Sequence, residues 1–261
     1  MSLYIGLIAS FLAMFVKGLA AFGNTLVFSP IMNFQSDTKM VAPVDLLMTL
    51  PANAYMAWIE RKNISLKIVL PLVLLIYIGL IPGTFFLTIG NSQLLKVILG
   101  IAVVVLGIEM ILREASIAKH GKKPSKPIVL ILIGLVSGML CGLFGVGAFL
   151  TAYLNRTTDD QKSFRANFCC VFFLENIARL ALYIYTGLMT ISSVKFALMI
   201  APTSVLGLLC GLMAAKKIPE KHAKKVVAFM LILTGLSLAA QNISGLFDNL
   251  TNVFGITYFI S

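Results

Sequence analysis

The segment KGLAAFGNTLVFSP, residues 17–30, places a cation, glycines and hydrogen-bond donors inside a long apolar stretch. Glycine lets a chain turn sharply and lets its N–H groups approach a ligand closely. A helix that begins at such a turn presents unpaired N–H groups and a partial positive charge, which favour an anion. The sequence CGLFGVG, residues 141–147, has the same character.

These two clusters predict a paired cradle for an anion, in which side chains of the first cluster add donors. The predicted residues are Gly18, Gly23, Asn24, Thr25, Gly142, Gly145 and Gly147. Close packing of helices through small residues is the alternative use of such glycines. Lys17 either neutralises the anion or extends to water from the turn, and the second interpretation is favoured.

A pair of opposite charges lies in a second apolar stretch, ANFCCVFFLENIARLALYIYTG, residues 166–187. Charges within a membrane are costly and tend to mark substrate or proton paths. Arg179 is therefore the expected contact for an anion, and Glu175, one helical turn earlier, either tunes Arg179 or carries a proton. A purely structural ion pair is the alternative. Asn176 and the roughly equivalent Asn53 are expected to line the same cavity.

Three further features lead to narrower predictions. Pro51 is expected to break its helix beside Asn53. Tyr183, near the end of an apolar segment, is interpreted as an anchor at the membrane interface. The four cysteines lie in apolar segments without a CxxC motif or a nearby histidine, so they are interpreted as packing residues, and no metal or cofactor is predicted.

The composition determines which elements carry these residues. With 59% hydrophobic and 12% charged residues, the chain differs from an ordinary soluble domain, which is about a quarter charged. Apolar runs of about 18 residues or more are long enough to cross a bilayer. The sequence therefore predicts an all-α polytopic membrane protein. Its apolar segments fall at 3–34, 41–58, 68–89, 97–112, 128–154, 166–187, 196–214 and 226–241.

The segments 3–34 and 128–154 are unusually long for single spans. The first would form a helix of about 48 Å at 1.5 Å per residue, whereas the hydrocarbon core is about 30 Å thick. Both contain glycines near their middles. Each is therefore predicted to be a broken helix or a helix hairpin.

The two halves of the chain resemble each other. GLAAFGNTL at residue 18 aligns with GLFGVGAFL at residue 142, and ISLKIVLP at residue 64 aligns with ISSVKFAL at residue 191. We expect two repeats, each a broken helix followed by three transmembrane helices. The predicted divisions are a first repeat 1–114, a basic linker 115–127, a second repeat 128–241 and an amphipathic tail 242–261.

Charge is distributed unevenly among the connections. Loops 59–67, 113–126, 155–165 and 215–225 together hold the entire net charge of +11, while the other connections, including 33–45, balance to zero. If 128–154 enters and returns on one side, all four basic loops face one compartment. The positive-inside rule favours this arrangement with those loops in the cytoplasm. By analogy the first segment is also a hairpin, which makes the repeats inverted.

The sequences KGLAAFGNTLVFSPIM and SGMLCGLFGVGAFLTAYL, in two similar halves, resemble the TauE/SafE sulfite exporter family, also called the toluene sulfonate uptake permeases. The resemblance implies transport of sulfur-containing anions, such as sulfite, thiosulfate or organosulfonates, across the cytoplasmic (inner) membrane. Family members commonly carry a further glycine where Asn24 and Ala148 stand here. This difference bears on the substrate more than on the fold.

The predicted function is secondary transport of a small sulfur-containing anion by alternating access. The chain has no G-x-x-x-x-G-K-[ST] motif that would bind ATP phosphates. An anion channel is one alternative, and a membrane-embedded enzyme is another, although no HExxH or GxSxG motif is present. The expected partners are a small anion and the lipid bilayer, and not nucleic acid. The sequence does not decide whether a proton or a sodium ion is coupled to transport, or whether the protein is a homodimer.

Overall fold

The computed structural model describes residues 2–120, 127–158 and 160–217, together with residues 229, 232–233, 235–238, 240 and 242. The described residues contain α-helices and no strand, which confirms the all-α prediction. The predicted tail, apart from Asn242, lies outside the described residues, as does most of the basic loop 215–225.

Nine α-helices have assigned bounds within the described ranges, and a short 3-10 helix, Arg61–Asn63, follows the third. The α-helices are α1 (Leu3–Ala20), α2 (Asn24–Asn33), α3 (Thr38–Ile59), α4 (Leu66–Ile89), α5 (Ser92–His120), α6 (Pro127–Phe144), α7 (Ala148–Thr157), α8 (Gln161–Tyr185) and α9 (Ile191–Ala214). By length and apolar composition, α1, α4, α9 and residues 162–185 of α8 can each cross a membrane. Shorter apolar stretches occur in α5 and α6. The chain is therefore a multi-pass membrane protein.

Both over-long segments are broken at their glycine clusters, as predicted. The first break follows α1, where Ala21 and Gly23 have positive φ angles of 71° and 91°. The second follows α6, where Gly145 has a φ angle of 74°. The helices after the breaks have ten residues each, or about 15 Å, which is half the thickness of the hydrocarbon core.

Two predicted helix boundaries differ from the structure. Pro51 lies within the continuous helix α3, so the predicted break beside Asn53 is wrong. Proline is tolerated inside membrane helices because neighbouring helices and hydroxyl side chains can satisfy the freed backbone groups. Helix α5 also runs on to His120, so residues 115–120 of the predicted linker are helical.

Glycine packing joins the two halves of the chain. α1 packs along α9, and α6 packs along α4. A Cβ atom on Gly18 would meet the backbone of α9 at Leu208 and Gly211. A Cβ atom on Gly142 would meet the backbone of α4 at Leu80. These two glycines therefore allow close helix contact, which is the alternative use that the sequence left open.

The pair α3 and α8 lies between these packed layers. The first turn of α8 is capped by Asp160, whose carboxylate accepts hydrogen bonds from the Ser163 backbone N–H at 2.8 Å and from its hydroxyl at 3.0 Å. These bonds lower the pKa of Asp160 below its ordinary value. The backbone N–H of Ser65 donates to Asn167 Oδ1 at 2.8 Å, which fixes the loop after α3 against α8.

Candidate functional site

The two helix breaks meet at one small cavity of about 20 Å³, room for about one water molecule. By residue type, its lining consists of a polar wall, a glycine wall and an aromatic wall, together with Leu26 and Val146. The polar wall contains Lys17, Asn24, Thr25, Thr49 and Thr151; the glycine wall contains Gly23, Gly145 and Gly147; the aromatic wall contains Phe22, Phe168 and Phe172. The two breaks, which are more than 120 residues apart in the sequence, thus contribute to a single site.

The first turn of α2 is tied to α3 by a buried hydrogen-bond network. The amide of Asn24 donates to Thr49 Oγ1 at 2.7 Å and to Asp45 Oδ1 at 3.4 Å. The hydroxyl of Thr25 donates to Asp45 Oδ2 at 2.7 Å. Asp45 is fully buried, so the two donors of α2 satisfy a carboxylate that has no access to water.

Lys17 lies inside the protein with 1% of its surface exposed. Its Nζ donates to Asn24 Oδ1 at 3.3 Å, across the break. The favoured interpretation, in which this side chain extends to water, is therefore wrong. Lys17 occupies the last turn of α1, where the exposed carbonyl groups carry partial negative charge and stabilise a cation.

Arg179 lies directly against the second break. Its Nη1 donates to the carbonyl of Cys141 at 3.2 Å and its Nη2 donates to Asn176 Oδ1 at 3.0 Å. Its Nε lies 3.2 Å from Glu175 Oε1. A Cβ atom on Gly145 would collide with the guanidinium group, so glycine is required at this position for contact as well as for its φ angle.

Tyr183 supports Arg179 from one turn further along α8. The tyrosine is fully buried, its hydroxyl donates to the carbonyl of Gly142 at 3.1 Å, and its ring centre lies 5.8 Å from the Arg179 guanidinium carbon. Its interpretation as an interface anchor is therefore wrong. The tyrosine holds the end of α6 and one face of the arginine instead.

Several buried polar atoms on α3 and α8 have no hydrogen-bond partner among the described residues. They include both side-chain polar atoms of Asn53, the Nδ2 of Asn176 and the Oε2 of Glu175, whose Oε1 is ion-paired with Arg179. Nearly all buried polar groups in proteins are hydrogen-bonded, so such a concentration is unusual. Neither asparagine is part of the cavity lining, although both are fully buried on the two central helices.

The sequence profile of the sulfite exporter TauE/SafE family matches residues 6–238 of the 261 residues. The chain belongs to this family. The match contains both helix breaks and every residue named above for the cavity, and it confirms the resemblance seen in the glycine clusters. Comparison with curated proteins and with solved structures found no match.

Within this TauE/SafE protein, the predicted site residues separate into groups. Gly23, Asn24, Thr25, Gly145 and Gly147 line the cavity, and Arg179 contacts Gly145. Glu175 and Asn176 bind Arg179. The packing glycines of α1 and α6 are not part of the lining.

Sequence reasoning missed Asp45 and Thr49. The charge count included Asp45 in the connection 33–45, whereas α3 begins at Thr38 and contains it. The spacing of Asp45, Thr49 and Asn53 at every fourth residue was a usable signal, because it aligns three polar side chains on one helical face.

Four charged side chains are thereby buried in the same region of the TauE/SafE protein: Lys17, Asp45, Glu175 and Arg179, each with 1% or less of its surface exposed. Two are cations and two are carboxylates, so their formal charges cancel. Desolvating a charge is expensive unless an opposite charge or hydrogen bonds compensate. The cavity thus has one buried cation, Lys17, in its lining and a second, Arg179, against Gly145, together with two half-helix N-termini.

Proposed function

We propose that this TauE/SafE protein is a secondary transporter that moves a small sulfur-containing anion, such as sulfite, thiosulfate or an organosulfonate, across the cytoplasmic membrane by alternating access. The observation that carries the proposal is the convergence of both helix breaks on one cavity with a buried lysine in its wall and a buried arginine against it. Transporter substrate sites are commonly formed by such discontinuous helices.

The backbone at the breaks would supply part of the anion site. The N-cap residues of α2 and α7 are Gly23 and Gly147, so neither helix has a side-chain cap for its first N–H groups. Uncapped helix N-termini bind oxyanions through these groups and through the helix dipole. Two repeats of inverted orientation would bring the two N-termini to the site from opposite sides of the membrane.

The side-chain charges suggest how binding could be coupled to a proton. Because the four buried charges cancel, a bound anion would leave the region net negative. Protonation of Glu175 would remove the excess of a singly charged anion and release Arg179 from the ion pair, so that the guanidinium group could bind the anion; a dianion such as thiosulfate would need a second proton. Asp45 is a second carboxylate that could accept the proton, although two donors from α2 already bind it.

The size of the cavity is consistent with an occluded form of the transporter. About 20 Å³ is smaller than a sulfur oxyanion, so side chains must move when substrate enters. Phe168 and Phe172 occupy part of the space beside the second break: their ring centres lie 4.5 Å apart, and Phe172 lies directly against Gly147. We propose that these rings open and close the site.

Counterflow in liposomes tests this function. The purified full-length protein is reconstituted, and uptake of radiolabelled sulfite is measured with and without unlabelled sulfite inside the vesicles. We expect saturable uptake that internal substrate accelerates, and we expect Lys17→Met to abolish it. Lys39→Met is the matched control, because Lys39 binds the carbonyl of Thr88 at 2.8 Å and does not line the cavity.

Two outcomes would contradict the proposal. Flux that rises linearly with concentration and shows no counterflow would indicate an anion channel. Chemical conversion of the substrate would indicate an enzyme. If sulfite is not transported, the same assay with thiosulfate and organosulfonates decides whether the substrate class is wrong.

A further inference from the structure

A groove between α3 and α9 is separate from the cavity at which the two helix breaks meet. Its volume is about 540 Å³, and its walls are apolar residues such as Met48 and Tyr55 of α3 and Ala201 and Leu209 of α9. Tyr55 and Leu209 also line a second cavity of about 670 Å³. The two chambers therefore adjoin each other at these residues, and the groove comprises both.

The second chamber is basic. It contains Lys162 and Arg165 from the start of α8 and Lys216, which follows the end of α9, with Glu60 as its acidic residue. Glu60 already accepts a hydrogen bond from Asn63 at 3.0 Å. Described residues from three of the four basic loops line this chamber, which places those residues at the same end of the helix bundle.

We propose that this groove binds one anionic phospholipid, with an acyl chain between α3 and α9 and the phosphate group on Lys162, Arg165 and Lys216. Basic pockets between transmembrane helices are suited to acidic lipid headgroups. A soluble anion would not use the apolar chamber, and an uncharged lipid would not use the three cations. The proposal is independent of the transported substrate.

Arg165 connects the proposed lipid site to the cavity at the helix breaks through a hydrogen bond. Its Nη2 donates to the carbonyl of Leu19 at 3.0 Å, one residue before the end of α1. Its Nε is buried and has no hydrogen-bond partner among the described residues. A phosphate bound to Arg165 would therefore be connected through one side chain to the first helix break.

The single tryptophan of the chain makes the binding measurable. Trp58 lies on α3, three residues after Tyr55, and its side chain is exposed. The full-length protein is reconstituted in phosphatidylcholine that contains either brominated phosphatidylglycerol or brominated phosphatidylcholine at equal mole fraction. Bromine quenches nearby tryptophan fluorescence, so stronger quenching by the anionic lipid reports its preferential binding.

Substitutions in each of the two chambers test which part of the groove binds the lipid. Lys162→Gln combined with Lys216→Gln should reduce the preference for phosphatidylglycerol by about fivefold for each lysine removed. Ala201→Phe, which fills the apolar chamber, should reduce it as well. The control is Lys67→Gln combined with Lys217→Gln, because these exposed lysines do not line the groove. This control should retain the wild-type preference.

Equal quenching by the two lipids in the wild-type protein would overturn the proposal. An equal loss in both lysine pairs would also overturn it, because it would indicate a general attraction of the basic surface. The mass of the detergent-solubilised protein is measured in parallel. A dimer that Ala201→Phe converts to a monomer, without any change in lipid preference, would show that a second copy of the chain occupies the groove.

Discussion

Replacing Gly145 by alanine tests the geometry of the second helix break. The residue has a φ angle of 74°, and an added Cβ atom would collide with the guanidinium group of Arg179. A left-handed conformation costs an ordinary residue about 1–2 kcal/mol. If Arg179 is displaced, it also loses a hydrogen bond to Cys141 or Asn176, and a hydrogen bond to a charged group contributes about 1.5–3 kcal/mol.

Gly187→Ala separates these two effects. Gly187 has nearly the same φ angle, 75°, but apart from its own chain neighbours no residue lies within 4 Å of the position its Cβ would take. This variant should therefore lose only the 1–2 kcal/mol of backbone strain. Gly145→Ala should lose a further 1.5–3 kcal/mol or so from the displaced arginine. The difference between the variants measures the contact with Arg179.

The affinity for the anion should differ even more clearly between Gly145→Ala and Gly187→Ala. If the displaced guanidinium group loses one charge-assisted hydrogen bond to the anion, the dissociation constant rises about 10- to 150-fold. Thermal unfolding of the purified full-length protein is measured over a range of sulfite, thiosulfate and taurine concentrations, because a ligand that binds the folded state raises its stability. Gly187→Ala should keep the wild-type affinity. Equal affinities in Gly145→Ala and Gly187→Ala would refute the assignment of Arg179 to the anion site.

Three further predictions address the buried charges and the topology. Lys17→Met should weaken anion binding by at least about tenfold in the same titration, because a charged donor to the anion is lost; an unchanged affinity would contradict its assignment to the site. Arg179→Met should cost about 3–5 kcal/mol by leaving the Glu175 carboxylate unpaired, and adding Glu175→Gln should restore part of that stability in thermal unfolding; losses that simply add would show that the pair is not coupled. Single cysteines at positions 120 and 222, in a background without accessible native thiols, should react with an impermeant reagent from the same, cytoplasmic side of sealed vesicles, and reaction from opposite sides would disprove the predicted orientation.

Local sequence patterns were sufficient for much of the fold. Apolar runs longer than one span, with glycines near their middles, predicted the breaks at residues 21–23 and 145–147. The four-residue spacing of Glu175 and Arg179 predicted their ion pair, because that spacing brings two side chains together on any helix. Both patterns depend only on neighbours in the sequence.

The sequence could not predict which glycines pack against another helix and which line the cavity. Gly18 and Gly23 lie five residues apart in one cluster, yet Gly18 packs against α9 and Gly23 lines the cavity. Gly142 and Gly145 separate in the same manner. The difference depends on which surface faces another helix, and that surface belongs to a segment far along the chain.

By itself, the sequence determined that the protein is a multi-pass helical membrane protein with two broken segments and a TauE/SafE signature, because hydropathy, helix length and glycine placement act locally. Only the tertiary structure decided that Lys17 is buried, that Asp45 lies within α3 and binds the first turn of α2, and that the two breaks share one cavity. These features depend on contacts between residues distant in the sequence. Packing therefore determines whether a polar residue in an apolar segment faces water, lipid or another charge.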